Sequence, residues 1–199
     1  MRIGVLALQG DFREHAAVLR GIGANAVEVR LPEDLRDVDG LILPGGESTT
    51  IGKLAREYGL IGPIRELAQA GKPVWGTCAG LILLAKDIGP EPPHVALLDV
   101  TVRRNAFGRQ VDSFEADLDV PALVGIESVP GPARPFHAVF IRAPRVEAAG
   151  PGVEVLARLP GGAIAAARQG NLLATSFHPE LAGDARFHRY FLSLRDGGD

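Results

Sequence analysis

Along the first ninety positions, apolar residues come in short unbroken runs separated by stretches with a helical period. Arg2-Ile3-Gly4-Val5-Leu6-Ala7-Leu8 has no polar interruption after Arg2, the pattern of a strand buried on both faces of a parallel sheet. Phe12–Gly21 repeats apolar side chains at Phe12, Ala16 and Leu19 and closes on Gly21, which predicts an amphipathic helix with a glycine stop. The alternation continues with strands Ala26–Leu31 and Asp39–Pro44, the latter ending at Gly45-Gly46. Helices Ser48–Glu57 and Ile61–Ala70 follow, with Ser48 the expected N-cap, then strand Pro73–Thr77 and helix Gly80–Ala85. This order predicts a doubly wound α/β sheet with crossover helices.

The second half changes period. Asp99–Arg104, Ser113–Val120, Pro135–Arg142, Val153–Leu159, Ala163–Arg168 and Asn171–Phe177 are short strands separated by turn residues, expected to add antiparallel to the sheet. Ala185–Leu194 is a closing amphipathic helix. Gly89–Pro93 and Pro130–Pro135 are expected surface loops. No repeat or low-complexity segment interrupts the chain, so one domain spanning residues 1–199 is expected.

Composition narrows the class of function. A net charge of −3 without a basic run argues against nucleic-acid binding. No segment approaches the roughly 18 apolar residues of a membrane helix, and Ile3–Leu8 is too short for a signal sequence. Cys78 is the single cysteine, so no internal disulfide forms, and no Cys/His cluster has zinc spacing. A reducing, cytoplasmic location without a membrane or a metal is expected.

The candidate chemistry centres on that cysteine. A lone cysteine is ordinarily a small buried hydrophobe, but Gly76-Thr77-Cys78-Ala79-Gly80 places this one on a tight turn between a parallel strand and a helix. Open α/β sheets put their sites there, and the small flanking residues give the segment the form of a nucleophile elbow. The helix N-terminus behind it favours the thiolate. His178-Pro179-Glu180 ends another apolar run. Pro179 forces His178 into an extended conformation, in which His178 and Glu180 face the same side, so the carboxylate orients the imidazole and the imidazole takes the thiol proton. His15 and His188, on predicted helices, and His94, in a proline-rich loop, are weaker candidates. Pro44-Gly45-Gly46-Glu47-Ser48 ends a third buried run. Its glycines can present a backbone N–H unobstructed, so Gly46 and Ala79 are the expected donors of an oxyanion hole.

Together the G-x-C-x-G elbow, the Pro-Gly-Gly turn and the His-x-Glu pair resemble the class I, or triad, glutamine amidotransferases. Leu8–His15, Pro44–Thr50, Gly76–Ile82, Arg104–Phe114 and Phe140–Pro144 look like one subfamily, the glutaminase subunit of the two-component pyridoxal 5′-phosphate synthase. The resemblance covers about Ile3 to Leu192 and is weakest over Gly150–Leu159. It implies a three-layer, flavodoxin-like α/β/α sandwich around a mixed, mainly parallel sheet. It also implies hydrolysis of L-glutamine by Cys78, His178 and Glu180 with no cofactor. Gly46, Glu47 and Ser48 would contact glutamine near its amide and backbone end, while Arg104, Ile141 and Arg142 would hold its α-amino and α-carboxylate groups. The implied partner is a (β/α)8-barrel synthase subunit that takes the ammonia. A glutaminase for another acceptor, such as the imidazole glycerol phosphate cyclase, and a non-catalytic redox sensor using Cys78 are the alternatives.

Overall fold

The structure, a computed structural model, describes residues 1–103, 113–126 and 134–194. The first half follows the predicted alternation. Strands β1 (Arg2–Leu6), β2 (Asn25–Val29), β3 (Gly40–Leu43) and β4 (Val74–Thr77) pair in parallel, interleaved with helices α1 (Phe12–Gly21), α2 (Ser48–Glu57) and α3 (Ile61–Gln69). Helix α4 (Ala79–Leu84) leaves β4 and passes directly into a short strand, β5 (Ala85–Asp87), which pairs in parallel with β6 (Leu98–Arg103).

The second half builds β7 (Ser113–Leu118), β8 (Phe136–Ile141), β9 (Arg145–Ala149), β10 (Glu154–Arg158), β11 (Ile164–Gln169) and β12 (Leu172–Thr175), closed by α5 (Arg186–Ser193). The main sheet runs β2-β1-β3-β4-β12-β11-β9-β6-β5, with β10 also paired to β11. It is mixed: β12 returns parallel to β4, and β11 is antiparallel to β9, β10 and β12. Three features depart from the expected strand set, the first being β5, which follows α4 where no strand is expected. Strand β9 carries one buried residue in five, Val146, and so leaves no alternation to read. The β7–β8 hairpin does not join the main sheet but forms a two-stranded sheet of its own.

Alternation along the strands explains the layers. Leu41, Leu43 and Val74 face one side, where Ile51 and Ala55 of α2, Ile64 and Leu67 of α3, and Leu81 and Leu84 of α4 cover them. Ile42, Trp75 and Leu173 face the other, against Ala16 and Leu19 of α1 and Phe187 and Phe191 of α5. The hairpin lies on this second side because Phe136, Ala138 and Phe140 form a single apolar face. Phe136 meets Phe187 edge-on at 4.8 Å, and Phe140 meets Phe177 at 5.5 Å. One-sided burial suits a packed hairpin and not a strand covered on both faces.

Helix α4 lies directly on the strand ends. A Cβ at Gly80 would stand 1.9 Å from the Leu43 carbonyl oxygen, and one at Gly76 would stand 2.4 Å from the Gly80 oxygen. Both positions therefore need glycine for close backbone approach. Gly80→Ala should lower the unfolding free energy in urea by about 2 kcal/mol or more, the cost of forcing volume into a filled contact. Gly62→Ala, in α3 with nothing within 4 Å of the added carbon, should be neutral or stabilising by up to about 1 kcal/mol. Equal transitions for the two variants would contradict this account of α4.

Candidate active site

Three neighbouring strand ends deliver the candidate groups. Cys78 follows β4 with φ 47° and ψ −103°, a backbone conformation that costs a non-glycine residue energy. Its N–H donates to the Thr175 carbonyl at 2.9 Å, so β12 holds the turn in place. The thiol is buried, and its sulfur lies 3.8 Å from the Ile141 carbonyl oxygen. Ala79 begins α4 directly after it, as the elbow pattern predicts.

His178 follows β12, and its N–H donates to the Val139 carbonyl at 2.8 Å. Its Nδ1 lies 2.7 Å from Glu180 Oε1, so the two predicted partners do meet. The route differs from an extended segment. Pro179–Leu181 forms one 3-10 turn, because the proline's fixed φ suits the first position of a helical turn, and that turn brings the carboxylate back beneath the ring. With Nδ1 committed, Nε2 is left for the thiol. Burial alone would push the His178 pKa down, but Asp11, Cys78 and Glu180, all acting on the ring, raise it well above the usual imidazole value. For Glu180, burial would favour the neutral acid. His15 and His178 oppose it and keep the carboxylate ionised, with its pKa well below the ordinary range.

The glycine turn is built around the imidazole. A Cβ at Gly45 would come within 2.5 Å of His178 Cε1, and one at Gly46, where φ is +147°, within 2.5 Å of Gln9 Oε1. The Gly45 carbonyl accepts from the Asp11 N–H at 3.2 Å, and the Glu47 N–H donates to Gln9 Oε1 at 2.7 Å. Since the peptide is planar and trans, the Gly46 N–H points away from Asp11. The cap of α2 is Glu47 and not Ser48: its carboxylate accepts from the N–H groups of Thr49 and Thr50 and from the Thr50 hydroxyl. Those contacts, the Thr50 hydroxyl first, lower the Glu47 pKa to about 2. Ser48 is displaced into the first helical position and is buried.

These residues enclose a cavity of about 480 Å³. Gly46, Glu47, Ser48, Cys78, Ala79, Ile141, Arg142 and His178 all line it, with Gln9, Asp11 and Leu181 at its edges. Glu180 lies behind His178, buried. Ile141 and Arg142 leave the end of the β7–β8 hairpin, and Arg142 has a positive φ of 43°. Arg104 lies outside the described residues.

Sequence reasoning missed the contribution of α1. Asp11 Oδ2 is 3.4 Å from His178 Nδ1, and His15 Nε2 is 3.1 Å from Glu180 Oε2 and 3.1 Å from Thr77 Oγ1. Asp11 caps α1 from just outside the helix and His15 lies within it, and no local sequence pattern ties either to a pair more than 160 residues away. Asp11, His178 and Glu180 each present a ligand atom within 4.8 Å of the others, close enough to hold an ion. In this geometry, however, His178 Nδ1 is engaged by Glu180 and is not free to ligate.

A model of the SNO glutamine amidotransferase family matches residues 5–195. Two similar proteins carry the name pyridoxal 5'-phosphate synthase subunit PdxT. One, from Dehalococcoides mccartyi, is 60% identical over 98% of this chain and 97% of its own. The other, from Herpetosiphon aurantiacus, is 59% identical over 98% and 100%. A crystal structure titled glutamine amidotransferase superposes with a TM-score of 0.89 at 54% identity, covering 98% of both chains.

The electrostatics predict a pH dependence. Because Glu180 ionises more readily folded than at its ordinary value of 4.5, its contribution to stability is present above that value and is lost as the pH falls. The gap in unfolding free energy between the native chain and Glu180→Gln should therefore be largest near about pH 7 and should shrink below about pH 4.5. Urea titrations across that range measure it. A gap that is constant or widens on acidification would contradict the assigned charge.

Proposed function

The chain belongs to the SNO glutamine amidotransferase family, and from that premise we propose that it is the glutaminase component of a pyridoxal 5′-phosphate synthase. The observation that carries this reading is the constellation at the cavity: Cys78 on its strained turn, the His178–Glu180 pair facing it, and a glycine turn alongside. The Cys78 proton passes to His178 Nε2, and the thiolate attacks the side-chain carbonyl carbon of L-glutamine. Gly46 and Ala79 N–H groups stabilise the oxyanion that develops. The C–N bond then breaks as His178 returns the proton to the departing ammonia, leaving a γ-glutamyl thioester. Water gives its proton to His178, its oxygen attacks the thioester, the C–S bond breaks, and glutamate leaves. Glu180 keeps the imidazole in one tautomer throughout.

Substrate anchoring follows from the lining. Arg142 at the rim offers planar donors to the α-carboxylate, as Arg104 is expected to do, and the Ile141 carbonyl faces the α-amino side. Gly46 and Ser48 bracket the amide end. Glu47 acts mainly by capping α2 and fixing that turn, since its carboxylate is already engaged.

The ammonia goes to a (β/α)8-barrel synthase subunit, which assembles pyridoxal 5′-phosphate from ribose 5-phosphate and glyceraldehyde 3-phosphate in the cytoplasm. The named relatives support this acceptor over an imidazole glycerol phosphate cyclase. A positioned proton acceptor argues against a redox sensor, which has no use for one.

An electrophilic glutamine analogue should add one covalent adduct at Cys78, and excess glutamine should slow the addition. Absence of an adduct by mass spectrometry, or substantial turnover by Cys78→Ala, would sink the mechanism. A second expectation concerns control. Both ends of the Gly45–Glu47 turn are tied to the Gln9–Asp11 segment, so a synthase docking on that segment can set the direction of the Gly46 N–H. One missing oxyanion donor typically costs about 10²–10³ in rate, so the isolated chain should be slow and the synthase should activate it. Ammonia release measured against synthase concentration tests this: an unchanging rate, with binding demonstrated, rules the switch out and leaves the triad standing.

A further inference from the structure

We infer that His15 is a positioning residue for this site: from helix α1 it holds the outer oxygen of Glu180, with His188 behind it fixing the tautomer that makes this possible. The inference rests on the proposed roles of Cys78, His178 and Glu180.

The side chains of Glu180 and His15 are both inaccessible to solvent. Oε1 of Glu180 is occupied by His178. Oε2 is buried without an aligned hydrogen bond of its own among the described residues, and His15 Nε2 stands 3.1 Å away. A buried carboxylate oxygen left without a donor is costly, so the identity of the atom facing it matters.

His188 decides that identity. Its Nε2 is 3.0 Å from His15 Nδ1, a distance that places one proton between the two nitrogens. Burial, aided by His15, pushes the His188 pKa well down, so that ring is neutral and has one N–H. Its Nδ1 is buried without a hydrogen-bond partner among the described residues. If the His188 proton sat on Nδ1, it would be an orphaned buried donor. A His15 carrying one proton would then donate from Nδ1, and its Nε2 lone pair would face the Glu180 carboxylate. Placing the proton on His188 Nε2 removes both penalties, because His188 donates to His15 Nδ1 and the His15 proton sits on Nε2, between Thr77 Oγ1 and Glu180 Oε2. A chain of contacts thus runs from α5 through α1 to the triad.

Such support has a competitor to exclude. Asp11 Oδ2 lies 3.4 Å from the same His178 Nδ1 that Glu180 engages at 2.7 Å. A Glu180 free to swing would surrender the ring to Asp11, which is 38% exposed and presents a different orientation. The groups facing the carboxylate and its imidazole are then complete among the described residues: His178 on its own turn, His15 from α1 and Asp11 just before it, Thr77 and Cys78 from the end of β4, and His188 from α5.

The test compares His15→Phe, His15→Gln and His15→Asn in the full chain, alone and with its synthase. Cys78 alkylation by iodoacetamide is followed against pH, and kcat and KM for glutamine are measured in parallel. In His15→Phe the thiolate–imidazolium pair loses its fixed anion, so the alkylation midpoint should move to higher pH. Its kcat should fall about 10–100-fold, by analogy with loss of the hydrogen-bond partner behind a metal-bound imidazole, with KM changed less than about twofold. His15→Gln places an amide N–H near the Nε2 position and should recover most of both effects. His15→Asn ends one bond short and should not. Wild-type midpoints and kcat in a folded His15→Phe, or a glutamine variant no better than asparagine, would overturn the proposal; the Gln–Asn comparison decides if the Phe variant does not fold. If even the native chain with synthase fails to turn over glutamine, the functional reading falls, and the alkylation midpoints still decide the role of His15.

Discussion

The in-register parallel pairing of β3, β4 and β12 is the constraint on which the site depends. Leu43 pairs with Gly76, and Gly76 with Ala174; one step on, Thr77 pairs with Thr175. Strands spaced about 4.8 Å apart deliver their next residues within reach of one another. Gly45, Cys78 and His178 therefore converge without any of them being close in sequence. A one-residue slip of β4 would turn Trp75 into the opposite layer and carry Cys78 off the turn. The same pairing explains why Gly76 and Gly80 are glycine: α4 starts so close to the sheet that any side chain there would meet backbone.

Behind the convergence, polar groups continue into the second core layer. His178, Glu180, His15 and His188 are all buried, and the last two pack edge-on against Trp75 with ring centroids at 5.8 and 4.9 Å. Removing a carboxylate and three imidazoles from water is unfavourable, and apolar side chains of similar volume would fill that space at lower cost. Orientation is what the chain of contacts provides. Glu180 fixes one nitrogen of His178, and His15 faces the other carboxylate oxygen, so the imidazole beside Cys78 is held in a defined orientation.

Elements with a strong period were readable in the sequence, and α1 and α2 begin and end where the spacing predicts. So was the placement of the candidate groups, because Cys78, His178 and Gly45-Gly46 sit where glycine and proline mark strand ends. What escaped depends on distant partners. Strand β9 has no apolar alternation because only Val146 is buried. The hairpin reads like any antiparallel pair, and only the aromatic cluster from Phe177 and Phe187 shows which face it covers. Ser48 has the better intrinsic preference for the cap, but the longer Glu47 side chain reaches two N–H groups from one position earlier. His15 lies 165 residues from Glu180 in sequence, so its contact has no local signature.

The separation of the hairpin from the main sheet gives the site a particular mechanical character. One cavity wall, with Cys78 and the glycine turn, belongs to the main sheet. The other, with Ile141 and Arg142, belongs to β7–β8. No strand ladder joins them among the described residues. They are joined by the His178 N–H to Val139 hydrogen bond and by Phe140 packed on Phe177, the residue just before His178. His178, the proposed general base, thus sits on the segment that bridges the wall with Cys78 and the wall with Arg142. Any displacement of the hairpin is transmitted to His178 as well as to Arg142, and loss of substrate alignment and loss of base alignment are expected to occur together.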